Sequence, residues 1–249
     1  MELQLPIPVQ PVLVGPHWRI TFRPEQYDRE RVPSIQKCWE LIDQTKLSIR
    51  GWDYPHVSRR DSEREIGNNW IASWSDYGYR NEYWRFFQSG QFIHLFSVEE
   101  TTNPEWLSRS RALAKSHLGF GALKDFDWNQ VPGFFSVLNF LYTVTEVFEF
   151  AARLCAKKAY EDTLTISIGL KNIQGFVLTH EWDRAWHNKY ASSQENLSNE
   201  WEISPPDLIA QSTQRSLEAT KWFFERFGWF SKSDQVLKND QENFLTRRF

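Results

Sequence analysis

Residues 50–56 read RGWDYPH and carry a guanidinium, an indole, a carboxylate, a phenol and an imidazole within seven positions. Pro55 disfavours helical backbone at the preceding residue, so the segment is predicted to be extended or turned. Asp53 is typical of a turn carboxylate that accepts hydrogen bonds from nearby backbone amides. Two interpretations stay open: a rigid corner that joins a helix to a sheet, or the lip of a pocket in which Arg50 binds an anion and His56 titrates near neutral pH.

Residues 82–96 read EYWRFFQSGQFIHLF and are predicted to form a β-hairpin with the two-residue loop Ser89-Gly90. Successive side chains of a strand point to opposite faces, which separates the residues of the first strand into two sets. These sets are Tyr83, Arg85 and Phe87 on one face, and Trp84 and Phe86 on the other. Because both faces carry rings, both are predicted to be covered, which places the hairpin inside a sheet.

Three polar side chains, Gln88, Gln91 and His94, lie within this aromatic hairpin. One interpretation is structural, since a buried amide must find hydrogen-bond partners and the backbone of a neighbouring strand supplies them. The other is functional: the three groups face a cleft lined by Trp84 and Phe92. Such a cleft suits a flat ring, such as a nucleic-acid base, that is held by stacking.

An enzyme hypothesis stays open beside the binding one. The chain has no GxxxxGK[ST], GxGxxG, HExxH, GxSxG or paired CxxC motif. A hydrolytic, metal-dependent site nevertheless follows if the side chains of five residues converge, namely Asp53, His56, Asp76, Glu82 and His94. The discriminating observation is whether two carboxylates and a histidine lie within hydrogen-bond reach across one pocket. His180 and His187 form a looser pair, which falls short of the four close ligands of structural zinc.

Composition limits the choice of partners and of compartment. The 249 residues carry a formal net charge of −3, which gives no global basic field for duplex DNA. The 13 Trp and 19 Phe predict a core built from large rings. Cys38 and Cys155 are predicted to be buried, reduced thiols. No signal peptide and no apolar run long enough to span a membrane are recognised, so a cytoplasmic protein without a membrane partner is predicted.

Periodicity predicts an α+β fold: a mostly antiparallel sheet built from hairpins, packed by a long central helix and by C-terminal helices. Residues 1–16 are predicted to be an extended N-terminal arm, and residues 17–249 a single domain. Strands are expected at 18–23, 70–75, 82–88, 91–97, 163–170 and 176–178, the last of which is expected to pair back on the one before it. Helices are expected from Pro33 to about Ile49, from Asn103-Pro104 to Lys115, over 134–158, from Ser204 to Gly228, and after a cap at Ser233. Residues 181–203 are expected to be a polar excursion without a strand.

Four segments resemble an uncharacterised family of bacterial proteins: RGWDYPH, NEYWRFFQSGQFIH, VLNFLYTVTEVFEFAARL and FFERFGWFS. Some members of that family are labelled DNA-binding or occur beside defence-type genes. The resemblance covers most of residues 45–245 and implies a multi-component bacterial system, with antiviral defence as one context. It implies no activity, and the low net charge of this chain departs from what a duplex-DNA binder shows.

The sequence therefore predicts a non-catalytic binding module with an aromatic and polar cleft. The predicted ligand is nucleotide-like, a single-stranded nucleic acid or a peptide, and a second protein subunit is the predicted partner. No cofactor and no metal are predicted. The predicted ligand-binding residues are Arg50, Trp52, Asp53, His56, Trp84, Gln88, Gln91 and His94. The alternative is the metal-dependent hydrolase or nuclease described above, and a third interpretation buries the arm and residues 181–203 against a partner subunit.

Overall fold

A computed structural model describes residues 5–119, 123–180, 188–230 and 234–247. The fold is α+β, as predicted, with helices packed on an antiparallel sheet. Its strands are β1 His17–Pro24, β2 Arg64–Ile66, β3 Trp70–Asp76, β4 Asn81–Phe87, β5 Phe92–Ser97, β6 Phe134–Ser136, β7 Leu164–Lys171, β8 Val177–Thr179 and β9 Leu197–Ile203. Its α-helices are α1 Pro11–Val14, α2 Ile35–Thr45, α3 Glu99–Thr102, α4 Pro104–Leu118, α5 Val137–Ala156, α6 Pro205–Arg226 and α7 Gln235–Leu245.

The main sheet has seven strands in the order β2-β3-β4-β5-β1-β7-β9, and every neighbouring pair is antiparallel. The predicted hairpin is β4-β5, in which Glu82 pairs with Phe96 and Phe86 pairs with Phe92. The loop of this hairpin lies at Ser89-Gly90, where Gly90 has a φ of +82°. The end of the hairpin that carries Glu82 and Phe96 is therefore the end away from the loop.

The core consists of aromatic layers that join the sheet to two helices. Phe92 of β5 lies 5.3 Å from Phe150 of α5 between ring centroids. Phe140, on the same helix, lies 5.5 Å from Phe223 of α6. Helix α5 is thus the middle layer, between the sheet and α6. It is buried along most of its length because apolar residues extend well beyond a single stripe.

The opposite face of β3, β4 and β5 is covered by the N-terminal segment. Leu5, Val9 and Val12 are buried there in one cluster with Ala72, Tyr83 and Leu95. The segment is not continuously extended as predicted, since it contains a 3₁₀ turn at Ile7–Val9 and the short helix α1. Pro8 and Pro11 lie in the first turns of these helices, where the missing amide hydrogen costs nothing.

Three helix boundaries differ from the prediction. Helix α2 begins at Ile35 rather than at Pro33, because the hydroxyl of Ser34 accepts from the backbone amide of Lys37 over 3.1 Å and caps the helix. It also ends at Thr45, before Ile49. Residues 134–136, predicted to be helical, form β6 ahead of the central helix. The predicted cap at Ser233 lies outside the described residues.

The strand pairing after α5 also differs from the prediction. Val177–Thr179 does not pair back on β7; it pairs in parallel with β6. The partner of β7 is β9, inside the segment that was predicted to lack a strand. The exposed residues of β9 are Ser198, Glu200 and Glu202. The sequence of β9 therefore looks polar, because an edge strand with one solvated face needs few apolar residues.

Within the described ranges, no helix has both the length and the apolar character needed to cross a membrane.

Candidate functional site

The loop at residues 46–54 is closed on itself before it reaches the sheet. Leu47 and Tyr54 form an antiparallel bridge, with each backbone amide 2.8 Å from the carbonyl oxygen of the other residue. Gly51, inside this bridge, has a φ of +78°, a conformation that glycine adopts without strain. Asp53 accepts a hydrogen bond from the side-chain hydroxyl of Ser48 and not, as predicted, from a backbone amide. The loop is therefore a rigid corner, which presents its remaining side chains in fixed positions.

Glu82 connects this corner to the β4-β5 hairpin. Its Oε1 accepts from the backbone amide of His56 and from Nε2 of His94, both over 2.9 Å. Its Oε2 accepts from the indole nitrogen of Trp52 over 3.3 Å. The indole nitrogen of Trp84 donates in return to the carbonyl oxygen of His56 over 2.6 Å. The two segments singled out in the sequence thus meet directly, through one buried carboxylate.

Arg50 extends from the same corner to the central helix. Its Nε lies 3.3 Å from Oε1 of Glu146, and its terminal nitrogen contacts Oε2 of the same carboxylate. That terminal nitrogen also lies 3.3 Å from the hydroxyl of Thr143. Burial raises the pKa of Glu146, and the charge of Arg50 opposes this effect. Arg50 is therefore already paired with an anion from its own chain.

Trp52 is enclosed by its neighbours. The ring of His56 stacks on it at 3.9 Å between centroids, and Tyr77 contacts it edge-on at 4.9 Å. The guanidinium of Arg80 lies 4.9 Å from the Trp52 ring centroid. Burial lowers the pKa of His56, against the charge of Glu82. These contacts fix the indole, and a ligand cannot stack on both of its faces.

A partly open cavity of about 210 Å³ lies beside this corner. It is lined by rings, by two guanidiniums and by a few carboxylates, amides and hydroxyls: Trp18, Arg50, Trp52, Arg80, Phe96, Ser97, Glu99, Glu100, Trp106, Phe135, Asn139, Phe140 and Thr143. A second hollow of about 130 Å³ adjoins it, with Arg109 and His180 in its wall. Glu100, Trp106 and Asn139 line both hollows and so form their junction.

The predicted ligand-binding residues divide into four pairs by position. Arg50 and Trp52 line the larger hollow, whereas Asp53 and His56 stay in the corner and do not line it. Trp84 and His94 are buried behind the corner, with almost no solvent exposure. Gln88 and Gln91 lie at the loop end of the hairpin, away from the Glu82–Phe96 end that reaches the hollow. The amide of Gln88 donates to the carbonyl oxygen of Val32 over 3.0 Å, which is the structural role foreseen for it.

The five residues of the hydrolase hypothesis do not converge on one open pocket. Asp76 accepts from the backbone amide of Gly78 over 3.0 Å in an exposed turn. Asp53 faces Lys46, with 3.5 Å between Oδ2 and Nζ. Glu82 and His94 contact each other, but both are sealed in the interior. Among the residues that the structure describes, no three His, Cys, Asp or Glu side chains form a metal-binding group, and His187 lies outside those residues.

Several cavity residues were not singled out from the sequence. Arg80, Glu99 and Glu100 lie just beyond the ends of β4 and β5, where polar residues are ordinary and give no signal. Trp106 and Asn139 lie on the helices α4 and α5. The sequence does place polar residues and Trp106 directly after the hydrophobic β4-β5 hairpin. This is only a weak signal of a cavity, because the packing of α3, α4 and α5 cannot be read from it.

No protein-family model, curated protein or solved structure matches this chain. The resemblance to a bacterial family, the defence context and the partner subunit therefore stay predictions.

Proposed function

We propose that this chain is a non-catalytic binding module whose larger hollow holds a single flat ring of a small ligand. Six of the residues that line the hollow are aromatic and seven are polar or charged, so a ligand ring can stack while hydrogen bonds fix its orientation. Its volume of about 210 Å³ suits one ring and its substituent better than a strand of nucleic acid. A nucleotide-like occupant with its phosphates is disfavoured because Arg50 and Arg80 already face carboxylates.

The observation that carries this proposal is the state of the rings in the wall. Trp18 stacks on Phe96 at 5.8 Å and lies 4.7 Å from Phe140, so the floor of the hollow is preorganised. Trp106 is different: it is 39% exposed, and within the described ranges its indole stacks on no other ring. A ligand ring that enters the hollow therefore meets a rigid apolar floor and the exposed indole of Trp106, both of which favour stacking.

The experiment is a fragment titration followed by nuclear magnetic resonance. Each of the 13 Trp side chains contributes one indole N–H signal, and the signals of Trp52 and Trp106 are assigned by substitution. We expect flat-ring fragments to shift these two signals saturably and to raise the melting temperature, because a ligand that prefers the folded state stabilises it.

The test variant is Trp106→Ala, and the matched control is Tyr27→Ala, which removes an exposed ring that does not line the hollow. Loss of fragment binding in Trp106→Ala with retention in Tyr27→Ala supports the proposal. Absence of any saturable shift in the unmodified protein, or equal binding by both variants, contradicts it.

A further inference from the structure

The two guanidiniums that line the larger hollow each have a carboxylate partner, but one of the carboxylates that line it is not part of such a pair. Arg50 is paired with Glu146, which lies behind it, and Nη1 of Arg80 lies 3.4 Å from a carboxylate oxygen of Glu99. Glu100 is the lining carboxylate left over. Among the described residues, no Lys, Arg or His nitrogen lies within 4 Å of its oxygens.

Glu100 is held in a position where its charge is poorly solvated. It lies on α3 and is half-buried, at the junction of the two hollows. Burial raises its pKa, while hydrogen bonds from its own backbone amide and from the side chain of Asn139 oppose that effect, as does the charge of Arg50. A partly desolvated carboxylate that has no cation of the described residues beside it is unfavourable unless a cation or a proton joins it.

The surroundings of Glu100 suit an organic cation better than a metal ion. Trp106 lines both hollows with Glu100, and the face of an indole attracts an ammonium group through its quadrupole. Asn139, the third residue of the junction, lines both hollows with Glu100 and carries an amide oxygen that can accept a hydrogen bond. A carboxylate, an indole and an amide oxygen are together a receptor for N⁺–H donors.

The Arg and His residues near Glu100 in the described part of the chain do not take the place of the ligand. Arg109 lines the smaller hollow, but it is exposed on α4 and does not line the larger hollow. His180 lines the same hollow and has interactions of its own. Arg50 and Arg80 are committed to the carboxylates of Glu146 and Glu99.

We propose that the ligand of the larger hollow is a ring that carries an ammonium group, with the cation between Glu100 and Trp106 and the ring on the floor formed by Trp18, Phe96 and Phe140. This inference rests on the proposed function, because it names the chemistry of the occupant of the same cavity. It predicts that positive charge, and not the ring alone, sets the affinity.

The test compares three ligands that share one ring and differ in charge: phenethylamine, phenethyl alcohol and phenylacetate. Each is titrated into the full chain at pH 7.5 and low salt, with the indole signal of Trp106 as the readout. We expect the amine to bind about tenfold or more tightly than the alcohol, as for a hydrogen bond between charged groups, and phenylacetate to bind most weakly.

The test variant is Glu100→Gln, and the control is Glu105→Gln, which removes an exposed carboxylate from the first turn of α4. We expect Glu100→Gln to lose the preference for the amine and to keep its affinity for the alcohol, while Glu105→Gln keeps both. A preference for the amine that survives in Glu100→Gln overturns the inference, as does a preference for phenylacetate or equal binding of all three ligands. If none of the three ligands binds, the proposed function fails together with this inference. If the ligands bind without a preference for the amine, only this inference fails, so the two outcomes are distinguishable.

A second measurement needs no variant. Lowering the pH to 5 protonates part of Glu100, whose pKa is raised, while the amine keeps its charge. We expect the affinity for phenethylamine to fall over this range and the affinity for phenethyl alcohol to stay constant. An unchanged ratio of the two affinities counts against the inference.

A ring with an ammonium group can belong either to a peptide N-terminus or to a small free amine, and the dipeptide Phe-Gly-amide separates these two sources. Tighter binding of the dipeptide than of phenethylamine assigns the cation to a peptide N-terminus, and weaker binding assigns it to a free amine.

Discussion

Nε2 of His94 lies 2.9 Å from Oε1 of Glu82, and both side chains are almost fully buried. The same carboxylate accepts from the backbone of His56 and from the indole of Trp52, so a single residue of β4 holds the corner at 50–56 in place. Because Arg50 and Trp52 of that corner line the cavity, the position of the cavity wall depends on this buried contact.

The first prediction concerns the stability of the protein in acid. Burial alone raises the pKa of Glu82, but the hydrogen bond and charge of His94, the charge of Arg80 and the backbone amide of His56 outweigh it and hold the pKa at about 2. Since this value lies below that of the unfolded chain, Glu82 stabilises the fold above about pH 4.5, and the contribution disappears as the pH falls toward 2. The contribution at neutral pH is roughly 3 kcal/mol.

Urea denaturation at pH 6 and at pH 3 measures this contribution. We expect the free energy of unfolding of Glu82→Gln to be lower than that of the unmodified protein at pH 6. Between pH 6 and pH 3, we expect the variant to lose less of this free energy than the unmodified protein does. The exposed Glu105→Gln variant should follow the unmodified protein at both values. Parallel losses in Glu82→Gln and in the unmodified protein would show that Glu82 ionises as it does in the unfolded chain.

The second prediction concerns the ion pair that joins the corner to α5. Arg50→Met leaves the carboxylate of Glu146, whose side chain is only 2% exposed, buried without a counter-ion. We expect a loss of about 3–5 kcal/mol in the free energy of unfolding. The double variant Arg50→Met/Glu146→Leu should regain most of it, because no buried charge is left.

Chemical denaturation of Arg50→Met, of Glu146→Leu and of the double variant provides a thermodynamic cycle. The control is Arg215→Met, which breaks an exposed pair with Glu218 and should cost less than about 1 kcal/mol. A double variant that is no more stable than Arg50→Met would mean that the pair contributes through packing and not through charge.

The third prediction concerns the N-terminal segment. Val9 is completely buried against β3, β4 and β5, whereas Ile7, two residues away, is 81% exposed. We expect Val9→Ala to lower the free energy of unfolding by about 2 kcal/mol and Ile7→Ala to change it by less than about 0.5 kcal/mol. Thermal denaturation of the two variants checks this difference, and equal melting temperatures would indicate that the segment is not packed on the sheet.

Local patterns were sufficient to predict much of the architecture. The alternation of residues 82–96 predicted β4 and β5, with both faces covered, and the helical period after Val137 predicted α5. Such patterns depend only on neighbours along the chain, through the periods of 2 for a strand and 3.6 for a helix. They failed for β9, because an edge strand with one solvated face carries few apolar residues, and for the pairing of β8, whose parallel partner lies more than 40 residues away.

The candidate site shows the same division. The sequence by itself determined that an aromatic, α+β domain would bring rings and hydrogen-bonding groups together near residues 50–56. Only the tertiary structure decided that Arg50 pairs with Glu146, 96 positions away, and that Gln88 and Gln91 lie at the far end of the hairpin. Only it placed Glu100, Trp106 and Asn139 at one junction. The physical reason is that side chains carry their chemistry in the sequence, whereas their distances follow from how α3, α4 and α5 pack beside the sheet.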